Sequence, residues 1–269
     1  MIPPFVVLDK AVGQTPLEVA EAWRLTQPEL KDVPLAYAGR LDPMASGQLL
    51  VLIGEECKKQ GEYHDLDKEY QVAMLFGAAS DSGDILGLIK ESGPIAVEEE
   101  TVSAVLEKLI GEITMTYPIF SAKTVAGKPL HTWTMENRLA EITIPTRTSH
   151  VYSLTLDNIE TITRNDLVEK ALQKIALLPP VTDPRKSLGN DFRRPDVYKT
   201  WETFKNTGSP ADVFYIANCN CIASSGTYMR SLTEVVAEAL GTTGLAFAIH
   251  RSKMGHYDSA ANTWPTLFR

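Results

Sequence analysis

Two periodicities of apolar residues run along the chain. Short runs enriched in β-branched and aromatic residues read as strands at 4–10 (PFVVLDK), 49–53, 67–76, 142–145, 151–159 and 213–221 (VFYIANCNC). Segments of period 3.6 read as helices. The first, 17–25, follows Thr15 as N-cap with Pro16 at the first helical position. The second, 98–111, has Val102, Val105, Leu106, Leu109 and Ile110 on one face. A third, 165–178, is ended by Pro179 and Pro180, and 196–204 is a shorter candidate. A last helix carries Leu232, Val235, Val236 and Ala239 on one face and reaches Leu240, where Gly241 closes it. Strand and helix signals alternate irregularly, which predicts an α+β arrangement rather than a regular doubly wound sheet.

The stretch 35–54 (LAYAGRLDPMASGQLLVLIG) departs from both patterns. A polar, glycine-containing loop through Tyr37, Gly39, Arg40, Asp42 and Pro43 leads into an apolar run read as a buried strand. A loop abutting a central strand is held rigidly enough to carry chemistry. Taken alone, Asp42-Pro43 is a turn dipeptide, because Asp bonds nearby backbone and Pro fixes its own φ.

The longer string, Gly-x-Leu-Asp-Pro-x-Ala-Ser-Gly followed by an apolar strand and Gly-Glu, resembles the catalytic loop of the TruB-type tRNA pseudouridine synthases. The resemblance continues through Lys68-Glu69-Tyr70 and through the Asp81–Gly87 loop (DSGDILG). It extends to 118–131 around Ser121-Ala122-Lys123, Gly127-Lys128 and His131, to Ser224-x-Gly-Thr-Tyr-x-Arg230, and to the closing segment 244–257. It implies a single catalytic domain, 1–269, of the pseudouridine synthase fold: α+β, with a mixed, mostly antiparallel central sheet flanked by helices and loops. It also implies an RNA-clamping, thumb-like insertion at 117–145. Asp42 becomes the essential carboxylate, Tyr70 the ring stacked on a flipped base, and Arg230 the partner of Asp42. Tyr37, Gly39, Arg40, Lys123, Lys128, His131, Ile249 and Arg251 become substrate-binding positions. Implied too are a tRNA T stem-loop as partner, no cofactor or metal, a monomer and a cytoplasmic location.

The resemblance lapses from 160 to 212, where relatives join the flanking strands by a short turn. This stretch, with Arg185, Lys186, Arg193, Arg194, Lys199 and Lys205, reads as an insertion. It is either an added RNA or protein contact or a solvent-exposed elaboration. A second departure is Tyr37, where relatives have histidine; Tyr can stack or donate a hydrogen bond but carries no positive charge. Arg40 stands where bacterial relatives usually have a small residue.

The residue types suit the reaction. Pseudouridine formation breaks the N-glycosidic bond, turns the uracil and rejoins it through C5, without redox change. One ionised carboxylate serves as nucleophile at C1′ or as counter-charge to the cation that develops there. A guanidinium beside it, from Arg230 or Arg40, favours the charged form. Tyr70 offers a stacking face worth about 1–3 kcal/mol to an extruded base, and its hydroxyl is a candidate for moving a proton.

Composition changes this picture at one point. The net charge of −8 runs against a general affinity for phosphate, so any RNA grip must come from local cations. Lys123, Lys128, His131, Arg138, Arg147 and His150 lie on one loop-rich stretch, and His250, Arg251 and Lys253 form a second cluster. Three cysteines, Cys57, Cys219 and Cys221, fit neither a disulfide framework nor a zinc signature. No apolar run approaches a membrane span, and residues 1–10 lack the pattern of a secretory signal. Three other readings stand beside the leading one: the same chemistry on another RNA, an RNA-binding protein of the same fold without catalysis, and a small-molecule enzyme using Asp42 as a base.

Overall fold

The computed structural model describes residues 2–181 and 191–268; Arg185 and Lys186 lie outside the described residues. In chain order the elements are β1 (Phe5–Lys10), α1 (Pro16–Arg24), β2 (Leu35–Ala38), β3 (Ala45–Ile53), β4 (Asp67–Phe76), β5 (Ala78–Ser80) and β6 (Ile89–Glu91). There follow α2 (Glu99–Lys108), β7 (Gly111–Thr116), β8 (Thr124–Val125), β9 (Lys128–Pro129), α3 (Leu130–Met135) and β10 (Thr146–Thr163). The chain then runs through α4 (Arg164–Ala176), α5 (Arg194–Asn206), β11 (Val213–Ala223), α6 (Met229–Ala239), β12 (Gly244–Asp258) and β13 (Thr263–Leu267).

Among the described residues nine strands form one sheet in the order β1-β3-β12-β4-β11-β10-β7, with β2 on β3 and β13 on β12. Every pairing in it is antiparallel except β3 with β12. The mixed, mostly antiparallel sheet expected from the sequence is therefore present. Its strands alternate sides with period two. Val72, Met74 and Phe76 of β4 pack with Val102 and Leu106 of α2 and with Leu232 and Val236 of α6. Leu75, between them, faces the opposite layer, where Leu167 and Ile175 of α4 and Val197 and Trp201 of α5 lie.

Local chemistry explains the element ends that position the site. Thr15 and Glu18 form a reciprocal cap on α1, with Glu18 N–H donating to Thr15 Oγ1 (3.2 Å) and Thr15 N–H to Glu18 Oε2 (2.7 Å). At Gly47, φ is +102°, and a Cβ there would stand 2.2 Å from the Arg251 carbonyl, so the parallel approach of β3 to β12 requires glycine.

Several expectations need correction. The loop read through Tyr37 begins later, because residues 35–38 pair with β3 as a strand. Residues 142–145 are not a strand; Pro145 has no N–H for a ladder, and the long strand β10 spans 146–163 instead of 151–159. The 116–131 stretch, read as loops, contains the β8–β9 hairpin and the start of α3. Strands β7 and β13 were not legible as separate elements.

The larger correction concerns 160–212. Its first residues finish β10, and α4 and α5 cover one face of the central sheet, so it is not a solvent-exposed elaboration. Arg164 is buried at the start of α4 and ion-pairs with Glu91 and Asp212, at 2.8 Å to the latter. Trp201 is 0% exposed and donates its Nε1–H to the Ile85 carbonyl (3.1 Å). Trp201→Ala is expected to lower unfolding free energy by about 3–5 kcal/mol, through a cavity and an orphaned carbonyl. Urea denaturation measures it; a loss under about 1 kcal/mol would mean α5 does not share the sheet's core.

Candidate active site

Asp42 sits in the turn between β2 and β3. Its own carbonyl accepts from Ala45 N–H (3.0 Å), and Pro43 O accepts from Gly13 N–H (2.9 Å). Beneath this turn Lys10 is fully buried, its Nζ donating to the carbonyls of Ala11, Pro43 and Ala45. Burial lowers the Lys10 ammonium to about 8, against the opposing charge of Asp42. The carboxylate-bearing turn is thus tied to β1 and the α1 entry by side-chain and backbone donors, which holds Asp42 in place.

Arg230 enters from the first turn of α6. Its Nε lies 2.8 Å from Asp42 Oδ2, with the Arg230 side chain 4% exposed and the Asp42 side chain 41% exposed. The Nε–H is not aimed along this approach, so the pair is held by charge rather than by a well-directed hydrogen bond. The terminal nitrogens are directed: Nη1 donates to Ser82 O (2.7 Å) and Nη2 to Phe120 O (3.3 Å). The result is a buried cation gripped from behind, with a half-open carboxylate on its outer side.

A second carboxylate lies behind the first. Asp84 Oδ2 is 3.9 Å from Arg230 Nε and is buried; Asp84 Oδ1 accepts from Ser82 Oγ (2.6 Å) and Leu86 N–H (2.9 Å). Burial pushes the Asp84 carboxyl up, while the Arg230 charge and the Ser82 hydroxyl pull it down. Glu234, one turn along α6, is also raised, by burial, against the Arg230 charge. Gly83 makes this packing possible: at φ +75° a Cβ would lie 3.1 Å from both Arg230 Cβ and Glu234 Oε1.

Tyr70 projects from β4 into the same face as the α6 core. Burial raises its phenol, an effect that the nearby Arg251 charge and hydrogen bond partly offset. Its hydroxyl is therefore a neutral phenol near pH 7, able to donate, accept or relay a proton, not a resting phenolate.

The remaining expected positions divide. Arg40 is exposed beside the turn, its guanidinium 5.8 Å from the Tyr37 ring centroid. The Tyr37 ring packs against the small core under α1, with Val19, Ala20, Leu49 and Val51. Ile249 is buried and pairs with Ala45 and Val72, in the wall of the site. Gly39 offers its carbonyl to Arg251 Nη2 (3.0 Å), and Arg251 Nε donates to Gln48 O (2.8 Å). Arg251 is 1% exposed; its donors tie the loop to β12 beside the Tyr70 phenol. Lys123 is exposed, over the Tyr117 ring at 5.1 Å. Lys128 is already ion-paired with Glu136 (2.7 Å), and His131 Nδ1 lies 3.0 Å from Ser121 O.

Sequence reasoning missed Lys10, Asp84 and Tyr228. Each lay within a motif already singled out, but only the fold brings them to Asp42. Tyr228 stands at the residue before α6, with its ring 5.3 Å from that of Tyr117. Among the described residues, no group of three or more His, Cys, Asp or Glu side chains is placed to hold a metal ion, and no helix is long and apolar enough to cross a membrane.

Residues 30–170 match the family model described as TruB family pseudouridylate synthase, N terminal domain. A curated protein named tRNA pseudouridine synthase B from Caldicellulosiruptor saccharolyticus is 29% identical over 256 residues, covering 95% of this chain and 69% of the relative. Its namesake from Lactobacillus delbrueckii subsp. bulgaricus is 30% identical over 254 residues, covering 94% of this chain and 68% of the relative. Among solved structures, a chain of a Cbf5–Nop10–Gar1 complex superposes with a TM-score of 0.54 at 18% identity, over 93% of this chain. This chain spans 48% of that one, and the likeness concerns the fold alone.

Proposed function

The chain belongs to the TruB family of pseudouridylate synthases, and on that premise we propose that it isomerises uridine to pseudouridine in tRNA, with Asp42 as the carboxylate that meets the sugar. One observation carries the assignment of Asp42: a half-exposed carboxylate 2.8 Å from a buried guanidinium. Charge of this kind, fixed before substrate arrives, is what stabilises a cation developing at C1′. Asp42 acts there as nucleophile or counter-charge while the C1′–N1 bond breaks. The freed uracil turns and bonds C1′ through C5, any bond from Asp42 to C1′ breaking as it does; C5 then gives up its proton and N1 takes one up, so the product is an isomer of the substrate. Arg230 sets a positive charge 2.8 Å from Asp42 and keeps the carboxylate aimed. Tyr70 supplies a face for the flipped base and a hydroxyl near the reacting atoms.

The partner we propose is the T stem-loop of tRNA, modified by a monomer in the cytoplasm, with residues 117–145 as the clamp. The acidic surface makes the grip depend on a few cations. Lys128 and Arg138 are already paired with Glu136 and Glu141. Exposed Lys123, Arg147 and His150, with Arg40 at the mouth, remain to meet phosphate. A different uridine is the second reading. It is favoured by Tyr37, whose ring is packed under α1, and by Arg40, which stands outward in its place.

Incubation with tRNA, followed by digestion, nucleoside chromatography and site mapping, tests both. Pseudouridine in the T-loop supports the first; pseudouridine elsewhere favours the second; none in any RNA removes the enzyme reading. Tyr70→Phe keeps the ring and removes the hydroxyl, and is expected to slow the reaction about 100-fold with tRNA affinity little changed. A Phe variant as fast as the wild type would leave Tyr70 a stacking face only.

A further inference from the structure

The two carbonyls that grip Arg230 belong to different segments, Ser82 in the loop after β5 and Phe120 after β7. One side chain from the inserted stretch reaches both segments. Arg193 places Nη1 2.7 Å from Asp81 Oδ2 and Nη2 3.1 Å from Asp81 Oδ1, a two-pronged pairing with the residue before Ser82. The same guanidinium lies 4.1 Å from the centroid of the Phe120 ring. Behind it, α5 fastens the rest of the loop: Trp201 Nε1–H donates to Ile85 O (3.1 Å), and Ile89 N–H donates to Thr200 Oγ1 (3.3 Å). Asp81 is itself fixed, Oδ1 accepting from Leu88 N–H (2.8 Å).

We propose that Arg193 is a positioning residue for Arg230, so that the inserted segment of this chain sets the alignment of the guanidinium that faces Asp42. The inference rests on the synthase reading. The Arg193 fork and plane fix Asp81 and Phe120 together. Ser82 O and Phe120 O are then fixed, and with them the two N–H groups of Arg230 that are not turned to Asp42. Because the Nε–H of Arg230 is poorly directed at Asp42, this rear grip, rather than the front pairing, decides where the cation sits.

The backbone carries a matching signature. Asp191, Phe192 and Arg193 all have left-handed φ, +47°, +55° and +58°. Consecutive non-glycine residues hold this conformation only where surrounding contacts over-determine it, which happens most often near functional sites. A direct phosphate contact is disfavoured, since the Arg193 side chain is 14% exposed and both prongs are engaged.

In the full chain, Arg193→Ala is expected to lower the single-turnover rate about tenfold and leave the tRNA Kd within about twofold, as a misplacement of an aligned group does. Arg193→Lys, with charge but without fork or plane, should recover part of the rate. In an Arg230→Lys background, Arg193→Ala should cost less than about twofold, because the guanidinium it aligns is gone. The Nε–H resonance of Arg230, identified by its loss in Arg230→Lys, should shift or broaden in Arg193→Ala, and this needs no turnover. Should Arg193→Ala fail to fold, Arg193→Lys carries the same resonance test. An inactive wild type would count against the synthase reading. An unmoved Arg230 resonance overturns the inference whatever the wild type does. So does an undiminished tenfold loss in the Arg230→Lys background, or a loss seen wholly as weaker tRNA binding.

Discussion

Asp42→Asn should abolish pseudouridine formation, by at least about 10⁴-fold, while the variant still binds tRNA within about threefold of the wild type. The substitution is nearly isosteric, so the turn that holds Asp42 keeps its bonds from Ala45 N–H and from Gly13 N–H to Pro43 O. What it removes is the negative charge and the attacking oxygen. At C1′ these are needed only as the glycosidic bond breaks, so the loss falls on the rate and not on affinity. RNA binding has no use for a carboxylate: a protein of net charge −8 that sheds one negative charge near phosphates loses no attraction to them. Nucleoside chromatography of digested tRNA after single-turnover incubation measures the first quantity, and filter binding at fixed salt the second. An Asn variant that still makes pseudouridine at more than a few per cent of the wild-type rate would refute the assignment of Asp42.

How far the sequence reached is visible in these residues. Asp42 and Arg230 lie far apart in the chain, yet each sits in a short motif whose local grammar is strong. One is a turn before an apolar strand; the other is the first turn of an amphipathic helix. The structure brings them to 2.8 Å. Arg251 was legible as a cation on a strand next to the site, but its bonds were not. Only the parallel pairing of β3 with β12 reveals that its donors go to Gln48 O and Gly39 O. Asp84 was legible as part of an Asp/Gly loop but not as a second carboxylate on Arg230, since that depends on the close approach of α6 at Gly83. Helices α4 and α5 showed amphipathic spacing but not which surface they would cover. Their partners, such as Leu75 and Phe214, are strand residues whose facing is set by sheet register. Strand β2 was hidden for the same reason: four residues with no alternation of their own become a strand because β3 has a free edge.

Arg230→Gln is expected to cost about 10³-fold in rate and, separately, to change how stability depends on pH. Gln is neutral and shorter, its amide nitrogen ending near the position of Nε and short of the two carbonyls now served by Nη1 and Nη2. Both the charge and the rear grip disappear. The Asp42 carboxylate and the buried Asp84 then have no cation between them, and Glu234, one turn along α6, loses its neighbouring charge. In the wild type, burial already raises Asp84 and Glu234 above the ordinary carboxylate range, and Arg230 opposes that rise in both. Removing it lets both rise further. For an acid raised on folding, the folded state holds more protons than the unfolded one between the two pKa values, so stability falls as pH rises through that window. Without Arg230 the window extends upward. The variant should therefore be close to wild-type stability near pH 4–5 and fall behind by roughly 3 kcal/mol near neutrality, the size of a broken buried pair. Urea titrations of both proteins across this range measure the difference, and single-turnover rates measure the catalytic loss. A stability deficit that does not change with pH would mean that Arg230 fills space without holding the carboxylates ionised. A wild-type rate in the Gln variant would remove it from the chemistry, and with it the reason for aligning the guanidinium through Arg193.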